Sequence, residues 1–420
     1  MESKMILSEL VTDNIRKETQ VKFISEQGLL AEYSHDGRNF NVFVQDSVNE
    51  EKMDRGTLEN FLFEELFYGY QRETYIYRVA TYNENILTAS EFFPKIRESY
   101  DYVNSNIFNF ITCIIGDIEE KDLVAMKVIY SRDTSKVAKV RMIFGKKVSV
   151  VSKGELTKTI SYIPIEWDIA EKIIIIKVAP KRNLFDKSLT PENLNKYYLN
   201  KIIYIFDIDI APFDSIHKEA ICEMSKALYQ QLYNKMVRTK PLGIDEFVDK
   251  MSIQLTEKLN IEGLQLKATV NNIFNIKDIL TKQVENILIS DILFDVENGD
   301  DLEGVKGVVT YLKFNDGKRI SARLRGQKCR EPIFDSESYM SLRSAIECAQ
   351  RTSRLGIVWL EKFDRLRVAY DATDLGCLNI HFYRNLCKEE FEYGLQMYWK
   401  YERRSGTEDI ELLSMEARAQ

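Results

Sequence analysis

The chain has 420 residues, of which 45% are hydrophobic, 11% aromatic and 29% charged. This composition is typical of globular domains with buried cores and excludes an intrinsically disordered chain. Because 58 Lys and Arg stand against 65 Asp and Glu, the chain is mildly acidic, which excludes a uniformly basic, histone-like binder. The length predicts about three domains of roughly 150 residues each.

The cysteine pattern predicts the cellular compartment. Six cysteines are scattered along the chain without the spacing of a disulfide framework, and no secretory signal is recognised. We therefore expect reduced thiols and a cytoplasmic protein. No apolar run approaches the roughly 20 residues that a bilayer-spanning helix needs, so no membrane partner is expected.

The charges are divided into blocks of alternating sign. Residues 1–126 contain 12 basic and 23 acidic side chains, whereas residues 127–187 contain 14 basic and 6 acidic ones. Residues 188–305 are again acidic, with 12 against 19, and residues 306–404 are basic, with 19 against 13. Such blocks indicate something about partners rather than about fold.

Together with periodicity, these blocks predict a multi-domain α+β protein with antiparallel β-sheets and a central helical layer. The predicted segments are an acidic, aromatic-rich α+β region over residues 1–122, a basic antiparallel β region over 123–187, a mainly helical acidic region over 188–304, a basic α+β domain over 305–404 and an acidic tail over 405–420.

The N-terminal region opens with a hairpin signal. Two apolar runs, over residues 29–33 and 40–44, flank Asp36 and Gly37, a dipeptide that favours a tight turn. An amphipathic helix follows, for which Thr57 is a plausible N-cap. The many aromatic residues here are expected to pack in a core.

Alternation of charged and apolar residues predicts a basic sheet after residue 122. The predicted strands cover residues 123–130, 137–144, 148–151, 159–163 and 172–178. The isoleucine run over residues 173–176 does not alternate, which predicts a central strand buried on both sides. Lys139 and Arg141 share one face, and Lys146 and Lys147 follow on the same chain segment. These four cations could contact a phosphate backbone. Alternatively, the basic face docks on the acidic N-terminal block.

The acidic central region is predicted to hold one strand and three helices. The helices have apolar stripes that begin at Ile221, Ile244 and Ile276. The strand over residues 202–210 contains Asp207 and Asp209, which a period of two would place on one face about 7 Å apart. Two such carboxylates could hold Mg²⁺, so a metal-dependent phosphodiester or phosphate hydrolase is one hypothesis.

The C-terminal basic block carries the strongest signal for a partner. Residues 308–314 and 319–325 are predicted to form two strands. A three-residue loop over residues 316–318 makes one face of this hairpin mainly apolar and the other mainly charged. That register pairs Asn315 with Arg319. The outer face then presents five cations and one aromatic ring, namely Tyr311, Lys313, Lys318, Arg319, Arg323 and Arg325.

Arginine forks and an aromatic platform on a solvated ribbon suit phosphates and unstacked bases. Arg343, Arg351 and Arg354, on a helix predicted over residues 338–354, could extend this surface. The alternative is that surface strands carry charge for solubility.

The sequence contains no nucleotide-binding loop and no familiar catalytic motif, which argues against an ATPase or a dinucleotide enzyme. We therefore expect a non-catalytic, nucleic-acid-binding subunit of an intracellular complex, in the style of bacterial antiviral defence, with RNA or DNA and another protein subunit as partners. No cofactor is expected, except Mg²⁺ under the hydrolase hypothesis. The main alternative is a protein-interaction scaffold without nucleic-acid binding.

Overall fold

The computed structural model describes residues 5–103, 107–112, 121–132, 136–152, 154–211, 215–259, 275–297, 304–315, 321–327, 331–334, 336–363, 365–373 and 376–416. Helices and antiparallel strands both make up large parts of the described chain, so the fold is α+β, as the sequence predicts. None of the described helices is both long enough and apolar enough to cross a bilayer.

The chain forms two compact units. Unit 1 consists of Met1–Asp214 and Asp374–Leu395, and unit 2 consists of Ser215–Thr373 and Gln396–Gln420. The segment boundaries predicted after residues 122 and 187 fall inside unit 1, and the boundary after residue 304 falls inside unit 2. Charge therefore changes sign within a compact unit.

The described part of unit 1 combines an N-terminal group of helices with a long antiparallel sheet. The helices are α1 (Glu9–Thr12), α2 (Lys17–Glu26), α3 (Leu30–Asp36), α4 (Phe40–Asn49), α5 (Arg55–Tyr68), α6 (Ala89–Ser99) and α7 (Pro191–Phe206), with 3-10 turns at Glu84–Leu87 and Lys187–Leu189. The strands are β1 (Glu73–Tyr82), β2 (Ile107–Asn109), β3 (Leu123–Tyr130), β4 (Val137–Ser152), β5 (Glu155–Asp168), β6 (Ile173–Val178), β7 (Ile208–Ile210) and, far along the chain, β12 (Leu378–Phe382).

These strands form an antiparallel sheet in the order β2-β3-β4-β5-β6-β1-β12, with β7 beside one end of β1. One face is apolar and aromatic: Trp167 of β5 is fully buried and packs 5.0 Å, between ring centroids, from Phe206 of α7. Phe144 of β4 packs in the same way 5.0 Å from Tyr198. This face, covered by α6 and α7, is the core of the unit.

The predicted N-terminal hairpin is wrong, because its two runs form the helices α3 and α4. Gly37 does adopt a left-handed conformation, with φ of 67°, but it does so as the C-cap of α3. A helix C-cap and a tight hairpin turn both need this conformation, so the glycine alone does not distinguish them. Asp54, rather than Thr57, caps α5, and its side chain accepts the Thr57 backbone N–H.

Unit 2 combines helices with a second set of antiparallel strands. Its described helices are α8 (Ile216–Thr239), α9 (Ile244–Leu259), α10 (Ile276–Glu297) and α11 (Glu337–Cys348), and the last helix, α12 (Lys388–Glu416), contributes residues to both units. Its strands are β8 (Gly307–Asn315), β9 (Ser321–Arg325), β10 (Arg351–Trp359) and β11 (Leu366–Asp371), paired antiparallel in the order β11-β10-β8-β9.

The three predicted helices are present, but only α8 buries its predicted stripe. Ile221, Leu228 and Leu232 of α8 are fully buried. On α9, in contrast, Phe247 and Met251 of the predicted stripe are exposed, and the neighbouring Val248 is buried instead. An apolar period defines a helix, but the neighbouring elements decide which face is covered.

Candidate nucleic-acid interface

The basic hairpin predicted in the C-terminal block is formed by β8 and β9. Leu312, Phe314 and Leu324 point to the buried side, and each is at least nine-tenths buried. Tyr311 and Lys313 alternate with them on β8 and are half-buried, while Arg323 and Arg325 of β9 are exposed. Alternation along the two strands thus produces an amphipathic ribbon, as predicted.

The predicted register of this hairpin is wrong by two residues. Asn315 pairs with Ser321 and Lys313 pairs with Arg323, so five residues rather than three connect the strands. A shift by two leaves every side chain on its original face, which is why the pattern of faces could not exclude it. The predicted contacts Lys318 and Arg319 lie outside the described residues.

Three cations form a row across adjacent strands. Lys313 of β8 is the direct register partner of both Arg323 of β9 and Arg354 of β10. Direct partners share a face of the sheet, and neighbouring strands lie about 4.8 Å apart. Asp371 of β11 ends the row, and its carboxylate oxygen lies 3.4 Å from Arg354 Nε. In the described part of the chain, no acidic side chain forms an ion pair with Lys313 or Arg323.

Tyr311 lies beside this row and contacts two of its members. The guanidinium carbons of Arg323 and Arg354 are each 5.3 Å from the centroid of the Tyr311 ring, which is a cation–π distance. The register partner of Tyr311 on β10 is Gly356, and a Cβ added there would lie 2.9 Å from Tyr311 Cβ. The missing side chain at Gly356 therefore leaves room for the base of the Tyr311 side chain, whose ring contacts both guanidinium groups.

The helix predicted to extend this surface ends earlier than expected. It ends at Cys348, so Arg351 and Arg354 lie on β10 rather than on a helical face with Arg343. Arg343 is buried and binds Glu285 at 2.8 Å, so it is not part of an exposed cationic surface. Arg354 joins the row by strand register, which the helical interpretation could not have shown.

The second predicted cationic surface, in unit 1, has a different environment. On β5, the register partner of Lys139 is Asp168 and that of Arg141 is Glu166. Lys139 Nζ lies 2.7 Å from a carboxylate oxygen of Asp168, and Arg141 Nε lies 2.7 Å from a carboxylate oxygen of Glu166. The side chains of Arg141 and Glu166 are only 16% and 11% exposed. Burial acts to raise the pKa of Glu166, but the neighbouring cations outweigh it and lower the pKa.

Helix α5, from the acidic N-terminal block, covers this face of the sheet. Lys127 Nζ lies 3.6 Å from Glu64 and 4.0 Å from the centroid of the Phe63 ring. Arg141 lies 5.4 Å from the Phe67 ring centroid. For these side chains the structure agrees with the alternative that the basic face docks on the N-terminal block.

A lysine that the sequence did not single out lies at the centre of this packing. Lys177 of β6 is 1% exposed, and its Nζ is 3.9 to 4.0 Å from the ring centroids of Phe67, Tyr68 and Phe391. The amine also donates a hydrogen bond to the Phe67 carbonyl oxygen at 3.4 Å. Burial lowers the pKa of Lys177 well below its usual value, although Glu166 opposes this.

Lys146 and Lys147 of β4 differ from Lys139 and Arg141 in their register partners. Both are half-buried, and their register partners on β5 are Ser161 and Ile160, neither of which is acidic. As consecutive strand residues they lie on opposite faces of the sheet. The four lysine and arginine residues predicted as one basic wall are therefore divided among different environments.

The structure does not place Asp207 and Asp209 as the metal-site prediction requires. Asp207 is the left-handed C-cap of α7, and only Ile208–Ile210 form a strand, so the two carboxylates are not on one face of a strand. Asp209 accepts a hydrogen bond from Thr81 Oγ1 at 2.6 Å. Among the described residues, no three His, Cys, Asp or Glu side chains lie close enough to hold a metal ion.

Comparison with known proteins does not assign this chain to a family. No protein-family model matches the sequence, and no curated protein is significantly similar to it. The function is therefore inferred from the geometry of the chain itself.

Proposed function

We propose that this protein binds nucleic acid through unit 2, with Lys313, Arg323 and Arg325 contacting the phosphate backbone. The observation that carries the proposal is the row of cations across β9, β8 and β10, whose first two members lack an acidic partner among the described residues. Cations that form no internal ion pair can exchange counterions for phosphates, which favours binding at moderate ionic strength.

The Tyr311 contacts support this function because they restrict the guanidinium groups before a ligand arrives. A planar fork held at the ring loses less conformational freedom on binding than a free side chain. Arginine also matches phosphate with two parallel hydrogen bonds. Tyr311 is thus assigned as a positioning residue rather than as the stacking platform expected from the sequence.

The proposal is tested by fluorescence-anisotropy titration of the full chain with single-stranded RNA, single-stranded DNA and duplex DNA at about 50 and 200 mM salt. The Arg323→Glu/Arg325→Glu variant should lose at least two phosphate contacts. Its salt dependence should therefore fall by about two contact equivalents, each worth a slope near 0.7 to 0.9.

A matched control has the same change of net charge at exposed lysines elsewhere, in Lys196→Glu/Lys277→Glu, whose side chains are 57% and 60% exposed. The control should bind like the wild type. If it weakens binding as much as the hairpin variant does, net charge rather than the hairpin determines binding, and the proposal is wrong.

A second candidate, a protein-interaction scaffold, is favoured by the exposed apolar side chains of α9 and α10. Phe247, Ile253, Ile287 and Phe294 are all more than half exposed. Apolar groups that cluster at the surface often mark protein interfaces. Under this candidate, the full chain binds no nucleic acid, and Phe247→Ser/Ile253→Ser changes self-association measured by sedimentation velocity.

The hydrolase hypothesis is tested by an activity assay. Phosphate release that requires Mg²⁺ and is lost in Asp207→Ala would support it.

The expectation of a cytoplasmic, antiviral complex rests on composition, and it stays an expectation.

A further inference from the structure

The paired ends of β4 and β5 form a narrow β-arm in unit 1. We define the arm as residues 147–152 of β4 and 155–160 of β5, which pair in continuous register. Residues 183–185 lie along the other edge of β4. There Leu184 bridges Val150, and the backbone N–H of Phe185 donates to the Ser149 carbonyl oxygen at 2.9 Å.

This register places three apolar side chains on one face of the arm. Val151 is the direct partner of Leu156, while Phe185 lies opposite Ser149. Partners across a ladder share a face, and so do residues two apart on one strand. Phe185, Leu156 and Val151 are 68%, 56% and 38% exposed, so this outer end of the face is open to solvent, whereas Ile160 at its inner end is buried. We call it the arm face.

Among the described residues, the charged side chains that the register places on the arm face are lysines. Lys158 is the direct partner of Ser149, and Lys147 is two residues before Ser149, so both lysines lie on the arm face. Glu155 of β5 is offset by one residue from Leu156 and lies on the opposite side of the strand. Asp186 caps the 3-10 turn Lys187–Leu189, and its side chain accepts a hydrogen bond from the Ser188 backbone N–H. The face is therefore apolar and aromatic in its middle and cationic around it.

We propose that the arm face binds single-stranded nucleic acid, with an unpaired base stacked on Phe185 and phosphates near Lys158. This inference rests on the proposed function and deepens it by naming the class of ligand. Exposed aromatic and aliphatic side chains can contact bases that are unstacked, and surrounding lysines track the backbone. Duplex bases are already stacked inside the helix, so none of them is available to stack on Phe185.

The direct test uses Phe185→Trp in the full chain and an unlabelled oligothymidylate of about 12 nucleotides, the length range that such surfaces cover. Stacking should quench the new tryptophan, while the matched control Tyr204→Trp, at an exposed residue of α7, should not respond. If the fluorescence that Phe185→Trp adds to the wild-type signal does not change at saturating single strand, the proposal is overturned.

Affinity gives a second, independent readout. Val151→Ser/Leu156→Ser/Phe185→Ser should weaken binding of the single strand by roughly tenfold or more, the usual effect of losing a stacked base, and leave duplex affinity unchanged. The control Val21→Ser/Val42→Ser/Tyr204→Ser removes exposed apolar groups elsewhere in unit 1 and should have no effect. Because all six side chains are exposed, both variants should keep the wild-type melting temperature.

The two proposals fail in different ways. If the arm variant binds single strands like the wild type, the arm proposal is wrong, whatever the hairpin variant does. If the arm variant loses affinity for single strand and duplex equally, the face does not select unpaired bases, and the proposal is also wrong. If the arm variant instead changes the sedimentation coefficient without changing binding, the face is a protein interface. The hairpin proposal is judged only by Arg323→Glu/Arg325→Glu.

Discussion

Two regions of this protein share a pattern of cationic side chains that alternate with apolar ones along a strand, but their electrostatic environments differ. In unit 1, Lys139 and Arg141 alternate along β4 and face Asp168 and Glu166 on the next strand. In unit 2, Lys313 of β8 faces Arg323 on one side and Arg354 on the other. Alternating cations on a strand therefore indicate a binding surface only when the adjacent strand does not supply the opposite charge.

The two arrangements should contribute differently to the free energy of unfolding. A buried ion pair is costly to break, because the remaining charge stays in a region of low dielectric. An exposed cation contributes little to folding, since water and salt screen it. We expect the charged face of unit 1 to matter for stability and the hairpin of unit 2 to matter for binding.

The largest effect is expected from Glu166→Ala. The substitution leaves Arg141 and Lys139 without their shared carboxylate at a site where Glu166 is only 11% exposed, and it should lower the free energy of unfolding by about 3 kcal/mol. The measurement is urea denaturation followed by circular dichroism. Arg323→Ala in the hairpin should change stability by less than about 0.5 kcal/mol. Equal losses in both variants would contradict the distinction between the regions.

A smaller and opposite effect is expected from Lys177→Met. Methionine can fill the space between Phe67, Tyr68 and Phe391 and has no amine that must lose its hydration, so the variant should be more stable at neutral pH by about 1 kcal/mol. Thermal denaturation at pH 7 measures this difference. A less stable variant would mean that the contacts of the amine with the rings outweigh its loss of hydration.

Lys177 should also give stability a defined pH dependence. Its pKa is lowered in the folded chain, whereas in the unfolded chain it returns to the ordinary 10.5. Between these two values the unfolded chain binds one more proton, so the free energy of unfolding rises with pH in this range. Lys177→Met should remove this contribution and flatten the curve on the acid side of pH 10.5, the ordinary pKa of lysine. Parallel curves for wild type and variant would show that the group does not titrate there.

The smallest effect, and the one that most sharpens the comparison, is expected from Tyr311→Leu. The change removes the ring that contacts Arg323 and Arg354 but removes no charge. Nucleic-acid affinity should fall by about twofold to fivefold, corresponding to roughly 0.5 to 1 kcal/mol, while the salt slope stays the same. Tyr311→Phe keeps the ring and should bind like the wild type. A changed slope would mean that the ring alters the number of phosphate contacts.

Local patterns predicted several elements correctly because their signal is short in range. The alternation at Lys139 and Arg141 gave the β4 strand, and the unbroken isoleucine run of β6 gave a strand buried on both sides. The apolar stripe of α8 gave a helix whose Ile221 and Leu228 are fully buried. The period of the side chains identifies β4 and α8, and in β6 the short length of the unbroken apolar run favours a strand over a buried helix.

Other predictions failed where a short pattern fits two structures. The apolar run at Ile202 was interpreted as a strand, but it continues the stripe of Leu194 and Tyr198 and belongs to α7. Gly37 fits a hairpin turn and a helix C-cap equally well. The hairpin register could slip by two residues without moving a side chain to the other face.

The sequence by itself determined the α+β class, the alternation of charge along the strands and the two faces of the β8–β9 ribbon. Only the tertiary structure decided which cations have partners: Glu166 lies 25 residues from Arg141 along the chain and meets it through the register of β4 and β5. It likewise brought Arg354 beside Lys313 and Phe185 onto the arm face. Periodicity fixes the direction of a side chain, but its neighbours come from strands that pair across long stretches of chain.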